Sequence, residues 1–405
     1  MHARRHAVIR SERRGNRTIG LAVALVVGGA LAAGGVVLTG NNPTPTASST
    51  QAPAPAQAAV GGAPEQPAGP PDCTGMVSGM DDRQKLAQRL MVGVDAADPA
   101  GAAAIVRDSQ VGGIFIGGND TALLRDDNLA DVQKAADVPV AVGVDDEGGR
   151  VQRIDDLVGD LPSARAMAKK TPEQVTELAR DRAQKLRDVG ITWNLAPDVD
   201  VSDQPSNDVI GDRSFSDDPA TVTKYALAWA EGQEQGGVYG MLKHFPGHGR
   251  SSGDSHKGEV SVPSLAELEK TDLKPYESLV GPGNPLDGRT GVMVGHLDVP
   301  GLTTDVPSSL EPATYQLLRT KYRFDGLVMT DDLGAMKAIT DRFGLAASTT
   351  KALSAGADVA LFSNVTQVSP LLDAAQKALD DGTIDRAGND TAVARVLAAK
   401  GLCRR

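Results

Sequence analysis

Short apolar runs punctuate the chain at steady intervals: LMVGVD (90–95), VGGIFIGG (111–118), VPVAVGVD (138–145), ITWNLAPDVD (191–200), GVYGMLKHF (237–245), GVMVGHLDV (291–299), DGLVMTDDL (325–333) and ADVALFS (357–363). Each is largely continuous rather than alternating, as expected of strands covered on both faces in a parallel sheet. Between them the apolar period lengthens to that of a helix. In TPEQVTELARDRAQKLRDVG, Thr171 stands as N-cap, Pro172 in the first turn and Gln174 where a capping box needs it. Val175, Leu178, Ala179, Ala183 and Leu186 then share a face, and Gly190 follows the end. The stretch from Asp218 to Gly237 repeats the plan, as does SLEPATYQLLRTKY before the seventh run. Strands alternating with helices predict a (β/α)8 barrel of the TIM type, in a single domain, rather than an open doubly wound sheet.

Composition adds limits. A hydrophobic content of 40% supports a large core, while 45 glycines and 3% aromatics point to tight α/β packing with many turns. The formal net charge of −11 argues against a nucleic-acid partner, which calls for a basic footprint. The N-terminal segment, 1–40, is the exception: a basic leader, MHARRHAVIRSERRGNR, runs into uncharged, mostly apolar sequence from Ile19 to Leu38. That order marks an export signal or a signal anchor. Residues 41–72, rich in Pro, Ala, Ser and Thr, cannot bury a core and read as a disordered tether. The barrel is expected from 73 to 405, on the outer side of a membrane. Cys73 and Cys403, the chain's only cysteines, stand at the two ends of that domain, and in an exported protein such a pair is expected to form a disulfide.

In a barrel of this kind the chemistry sits where strands end and loops begin. DDEGGRVQR follows the third predicted strand, APDVDV and GDRSF the fourth, KHFPGHG the fifth, GHLD the sixth and TDDLGAM the seventh. KHFPGHGRSSGDSH (243–256) holds three of six histidines. A metal hydrolase could draw on His244, His248, His256 and Asp254, although Pro246, Gly247 and Gly249 forbid the helix on which an i, i+4 zinc pair sits. Ser251, Ser252 and Ser255 lack the nucleophile elbow of a serine hydrolase. Glycoside hydrolysis asks for a carboxylate on a rigid strand end and a separate proton donor, which MTDDL and the DSH of a glycine-bearing loop supply. Glycine fingerprints for nucleotide cofactors are not found.

DDEGGRVQR, GDRSF, KHFPGHG…DSH and FDGLVMTDDLGAM, in this order, resemble glycoside hydrolase family 3, and specifically its β-N-acetylglucosaminidase branch. The resemblance implies a retaining exo-enzyme without metal or organic cofactor. It implies that Asp331 is the nucleophile, that His256 is the general acid/base, and that Asp254 orients it. It also implies that Asp145, Arg153, Arg213, Lys243 and His244 bind the terminal sugar. Strand alternation puts Asp331 on the face of Leu327 and Met329 and turns Asp332 away, toward a neighbour or backbone amides. His248 reads as a residue that holds the loop. The expected substrate is GlcNAc-terminated cell-wall fragments, handled by a monomer whose only membrane contact is its N-terminal segment. Phosphorolysis, β-glucosidase activity and a non-catalytic wall-binding role are the alternatives.

Overall fold

The computed structural model describes residues 72–404 apart from Thr366. The basic leader, the apolar run and nearly all of the expected tether lie outside the described residues. Among those described, no helix is long and apolar enough to cross a membrane. Eight strands close into one parallel barrel in sequence order: β1 (Leu90–Gly93), β2 (Gly113–Ile116), β3 (Ala141–Val144), β4 (Trp193–Asn194), β5 (Tyr239–Phe245), β6 (Thr290–Val294), β7 (Val328–Asp332) and β8 (Val359–Phe362). β8 returns to pair with β1, Leu90 opposite Ala360. Closure leaves no strand edge exposed.

The alternation of side chains along each strand divides the core in two. Leu90, Val92, Ile114, Ile116, Val142 and Val144 face the helices, while Met91, Phe115, Trp193, Met241, Met293 and Met329 fill the interior. Aromatic side chains are few, so thioethers do much of the filling, and glycines make room for them. A Cβ on Gly291 would lie 2.3 Å from Met241 Sδ, and one on Gly113 2.6 Å from Met91 Cε. Met suits such gaps because it is unbranched and flexible.

The predicted capping box is formed. Helix Pro172–Asp188 starts at Thr171, whose Oγ1 accepts from the Gln174 amide, while Gln174 Oε1 accepts from the Thr171 amide. The fourth strand is shorter than the pattern suggested. Past Asn194 the Ala196 amide turns back to the Asn194 carbonyl and breaks the regular register. Leu195 still donates to Val144, and Ala196 and Pro197 accept from Met241 and Lys243 before the bridge from Asp198 to Lys243. The segment before the seventh strand is also shorter than a full helix, with helix Pro312–Gln316 passing into a wider turn at Leu317–Lys321. At the N-terminal end of the barrel, Cys73 and Cys403 form a disulfide with Cα atoms 5.0 Å apart, set among Val77, Val393 and Leu397.

Candidate active site

Asp145 is the first residue past β3, and the chain then turns sharply at Gly148 and Gly149, both at positive φ. A Cβ on Gly148 would lie 2.4 Å from the Pro162 carbonyl, so the turn requires glycine. Asn194, at the end of β4, holds the backbone between Asp145 and Glu147 from both sides. Its Oδ1 accepts from the Asp146 amide at 2.9 Å and its Nδ2 donates to the Asp146 carbonyl at 2.8 Å. Arg165 donates to the carbonyls of Ser202, Gln204 and Gly211, fixing the loop that presents Arg213.

Glu147, buried, is the hub of the charges on this rim. It receives Lys243 Nζ at 2.6 Å and both Nε and Nη2 of Arg213 at 2.8 Å in a bidentate pair. Lys243 reaches Asp145 as well, at 2.6 Å. Burial disfavours the Glu147 carboxylate, but Arg213 and Lys243 outweigh it and hold the carboxyl far below the usual range. Burial likewise works against the Lys243 cation, and Asp145 and Glu147 overcome it, raising its pKa.

His244 lies between this network and a second one. Its Nδ1 is 2.7 Å from Asp200 Oδ2 and its Nε2 is 3.3 Å from Arg213 Nη2. A guanidinium only donates, so Nε2 accepts and the proton sits on Nδ1. Burial, then the Arg213 charge, push His244 down to about 4, so the ring is neutral. Asp198 accepts from the Asp200 amide at 2.8 Å through Oδ1, and its Oδ2 stands 3.7 Å from Arg213. Burial and the neighbouring Asp200 push Asp198 up to about 8. Oxygens of Asp198 and Asp200 and a nitrogen of His244 converge within 4.8 Å. Arg213 and Lys243 already supply two positive charges beside this cluster, which disfavours a divalent cation there. The four residues weighed above for a metal are divided: His244 bonds Asp200, while Asp254 and His256 pair with each other on an exposed loop.

Asp331, last but one in β7, faces the interior on the side of Leu327 and Met329, and its Oδ1 accepts from the Asp332 amide at 2.8 Å. Burial opposes its ionisation; the His244 and His296 imidazoles and that amide outweigh it, so the carboxyl lies below its usual range. Asp332 turns away to accept from the amides of Gly334 and Ser363 and from the Ser363 hydroxyl. His296 is buried beneath the pair. Its Nε2 donates to the Asp332 carbonyl at 2.9 Å, which leaves Nδ1 to accept from Ser309 Oγ at 2.7 Å. Across the opening, Asp254 Oδ1 binds His256 Nδ1 at 2.9 Å, which directs the free Nε2 away from the carboxylate.

Asp145, Arg153, Arg213, Lys243, His244, His256 and Asp331 all line one cavity of about 260 Å³, with Asp254 behind His256. Arg153 keeps a buried Nε without a hydrogen-bond partner among the described residues. A larger cavity of about 670 Å³ opens at the other end of the barrel, by Arg89, Asp358 and Arg395. There Arg319 and Arg395 are spent on Asp358 and Arg89 on main-chain carbonyls, whereas the smaller cavity gathers the acids, cations and imidazoles described above and is the candidate site. Glu147, Asn194, Asp198 and Asp200 were assigned no role from sequence. For Glu147 the signal was present: it follows Asp145 by two residues at a strand end, the spacing that puts two side chains on one face.

Comparison with known proteins bears on this geometry. A family model described as the glycosyl hydrolase family 3 N terminal domain matches residues 82–399. The chain is 47% identical over 382 residues to the β-hexosaminidase LpqI of Mycobacterium tuberculosis, covering 92% of this chain and 96% of that protein. A solved family 3 glycosyl hydrolase from Mycobacterium smegmatis superposes with a TM-score of 0.76 at 48% identity, over 81% of this chain and 99% of its own. A family 3 β-N-acetylglucosaminidase from a Paenibacillus species gives 0.72 at 31% identity, over 79% of this chain and 62% of its own. With the barrel, the buried strand-end carboxylate and these likenesses together, the chain belongs to glycoside hydrolase family 3 and is an enzyme of its β-hexosaminidase type.

Proposed function

We propose that the chain is an exported, exo-acting, retaining β-N-acetylglucosaminidase that removes terminal GlcNAc from peptidoglycan fragments. The observation that carries the mechanism is the pairing of a buried carboxylate held ionised, Asp331, with an imidazole on the far side of one cavity, His256, backed by Asp254. Asp331 attacks the anomeric carbon while His256, as imidazolium, gives its Nε2 proton to the departing oxygen. In the second half, neutral His256 takes a proton from water as that water displaces Asp331. Asp254 fixes the ring and stabilises its charged form, and it remains ionised: burial opposes this, but the His256 amide and ring lower its pKa. Asp145, Lys243, Arg213, Arg153 and His244 provide donors and acceptors for the sugar hydroxyls. The floor is closed by Phe115, Leu195 and Met293, so a sugar enters end-on, which fits a chain terminus. The basic leader, apolar run and tether support delivery to the wall side of the membrane.

The test is turnover of 4-nitrophenyl β-GlcNAc and the matching β-glucoside, with and without phosphate, with the first-formed anomer read by proton NMR. The expected result is β-GlcNAc released from the first substrate, with a loss of about 10⁴-fold or more in kcat for Asp331→Asn. Sugar phosphate formed only with phosphate would replace hydrolysis by phosphorolysis. An α-anomer would end the retaining mechanism, preference for the glucoside would make the enzyme a β-glucosidase, and a purified protein inert on both would leave a wall-binding role.

A further inference from the structure

The loop that carries Asp254 and His256 is exposed over much of its length, and the His256 side chain itself is 62% exposed. Hydrogen bonds between Ser252 and Ser261 pin the base of this loop. They do not fix its tip. Ser255, between the two functional residues, is the exception to the exposure, at 3%. Its Oγ lies 3.4 Å from His248 Nε2 and 3.7 Å from Met336 Sδ, and its carbonyl accepts from the Ala338 amide at 3.0 Å. The tip is therefore held to the barrel at one residue, by groups that follow β5 and β7.

His248 is otherwise a buried histidine without a task. Its amide donates to Asp200 Oδ1 at 2.6 Å and its ring stands edge-on to His244, with centroids 5.7 Å apart. Its Nδ1 has no hydrogen-bond partner among the described residues. Leaving one ring nitrogen unpaired in the interior is costly, and among the described residues the other nitrogen meets the Ser255 hydroxyl.

We propose that His248 and Ser255 form a latch that docks the acid/base loop on the barrel rim, with Ser255 the positioning residue for His256. The latch also joins the two ends of the site, because Asp200 holds both His244, at the sugar, and His248, at the loop. A docked tip aims Nε2 of His256 at the leaving oxygen. A released tip leaves Asp331 and the sugar contacts in place but misaligns the proton donor, and a misplacement of about 1 Å can cost on the order of 100-fold in rate.

The inference rests on His256 being the acid/base, so the experiment includes His256→Ala beside Ser255→Ala and Ser255→Val. Each is assayed for kcat/KM on a 2,4-dinitrophenyl and a phenyl β-N-acetylglucosaminide. The first leaving group departs without a proton and the second needs one. For Ser255→Val, whose added bulk cannot occupy the buried slot, the expected loss is about 10- to 100-fold on the phenyl substrate and under about 3-fold on the dinitrophenyl one. Ser255→Ala should show the same bias at about 2- to 10-fold, the size of one lost hydrogen bond. Added azide should restore kcat of Ser255→Val on the dinitrophenyl substrate, because it intercepts the glycosyl-enzyme without a base. Faster amide exchange confined to 251–260 would report the released tip and show that the barrel is folded. Equal losses on both substrates, or none on either, would overturn the latch. If His256→Ala shows no dependence on leaving group, the acid/base reading itself has failed; if it does and the Ser255 variants do not, the latch alone has failed.

Discussion

Replacing Glu147 by Gln tests whether the charge hub on the barrel rim is organised as the distances imply. Gln keeps the shape and one carbonyl acceptor but removes the negative charge that three short contacts share, to Lys243 at 2.6 Å and to Arg213 twice at 2.8 Å. Lys243 retains Asp145, whereas Arg213 is left facing Asp198 at 3.7 Å, an acid pushed up to about 8 by burial and Asp200 and so uncharged at neutral pH. Taking one partner from a buried pair costs about 3–5 kcal/mol. With Lys243 still neutralised, the lower half, about 3–4 kcal/mol, applies. Part of it will appear in urea unfolding and part in substrate binding, since Lys243 and Arg213 lose their fixed positions, and each 1.4 kcal/mol on binding is about tenfold in KM. The pH dependence checks the assignment. The folded carboxyl lies far below its unfolded value, so its stabilisation is complete above about pH 5 and is lost only as pH falls through the acid range. The gap between wild type and Glu147→Gln should thus be flat from pH 8 to about 5.5 and narrow below about 4.5. A variant within about 1 kcal/mol of wild type with unchanged KM, or a gap that fades between pH 8 and 6, would refute the reasoning.

Asp198, at about 8, keeps a proton that the unfolded chain sheds near its ordinary value, so its effect runs the other way. Native stability should fall as pH rises from about 4 to 8, and Asp198→Asn should gain on wild type across that range and match it at the acid end, in urea titrations at pH 5 and 8. Cys73→Ser opens a crosslink between residues separated by 330 positions and should lower unfolding stability by about 2–5 kcal/mol. Its kcat should be unchanged, because the disulfide sits at the end of the barrel away from the cavity. Met241→Ala, in the barrel interior against Gly291, should cost about 2–5 kcal/mol by chemical denaturation, whereas an exposed control such as Lys257→Ala should stay within about 0.5 kcal/mol.

The barrel was legible because its physics is local. A strand buried on both faces must be apolar along its length, and a helix lying on it must carry one apolar stripe, so the two periods alternate visibly from Leu90 to Phe362. Thr171 and Gln174 marked a helix start that the backbone then adopts. The fourth strand is shorter than its pattern where local pattern and hydrogen bonding part company: ITWNLAPDVD is apolar enough, but the Ala196 amide turns back to the Asn194 carbonyl and interrupts the regular register there. The same alternation separated Asp331 from Asp332, since a period of two leaves only one of two adjacent acids facing the interior.

The residues that hold the site were less legible, because each acts on a partner far away in sequence. Glu147 meets Arg213 across 66 positions, and Lys243 meets Asp145 across 98. A strand-end acid announces that something happens there, not whether it holds a sugar or an arginine; only folding decides that. The histidines between 243 and 256 make the point within one short segment. With Pro246, Gly247 and Gly249 preventing a helix, the chain sends three imidazoles to three environments. His244 is buried on Asp200 with its proton on Nδ1, and it can meet a sugar without carrying charge. His248 is buried without charge and turned to Ser255. His256 alone stands at the opening with a carboxylate behind it and a free nitrogen ahead. Burial pushes the first two down to about 4, so neither can supply a proton near neutral pH, which is why the proposed mechanism gives that step to the third.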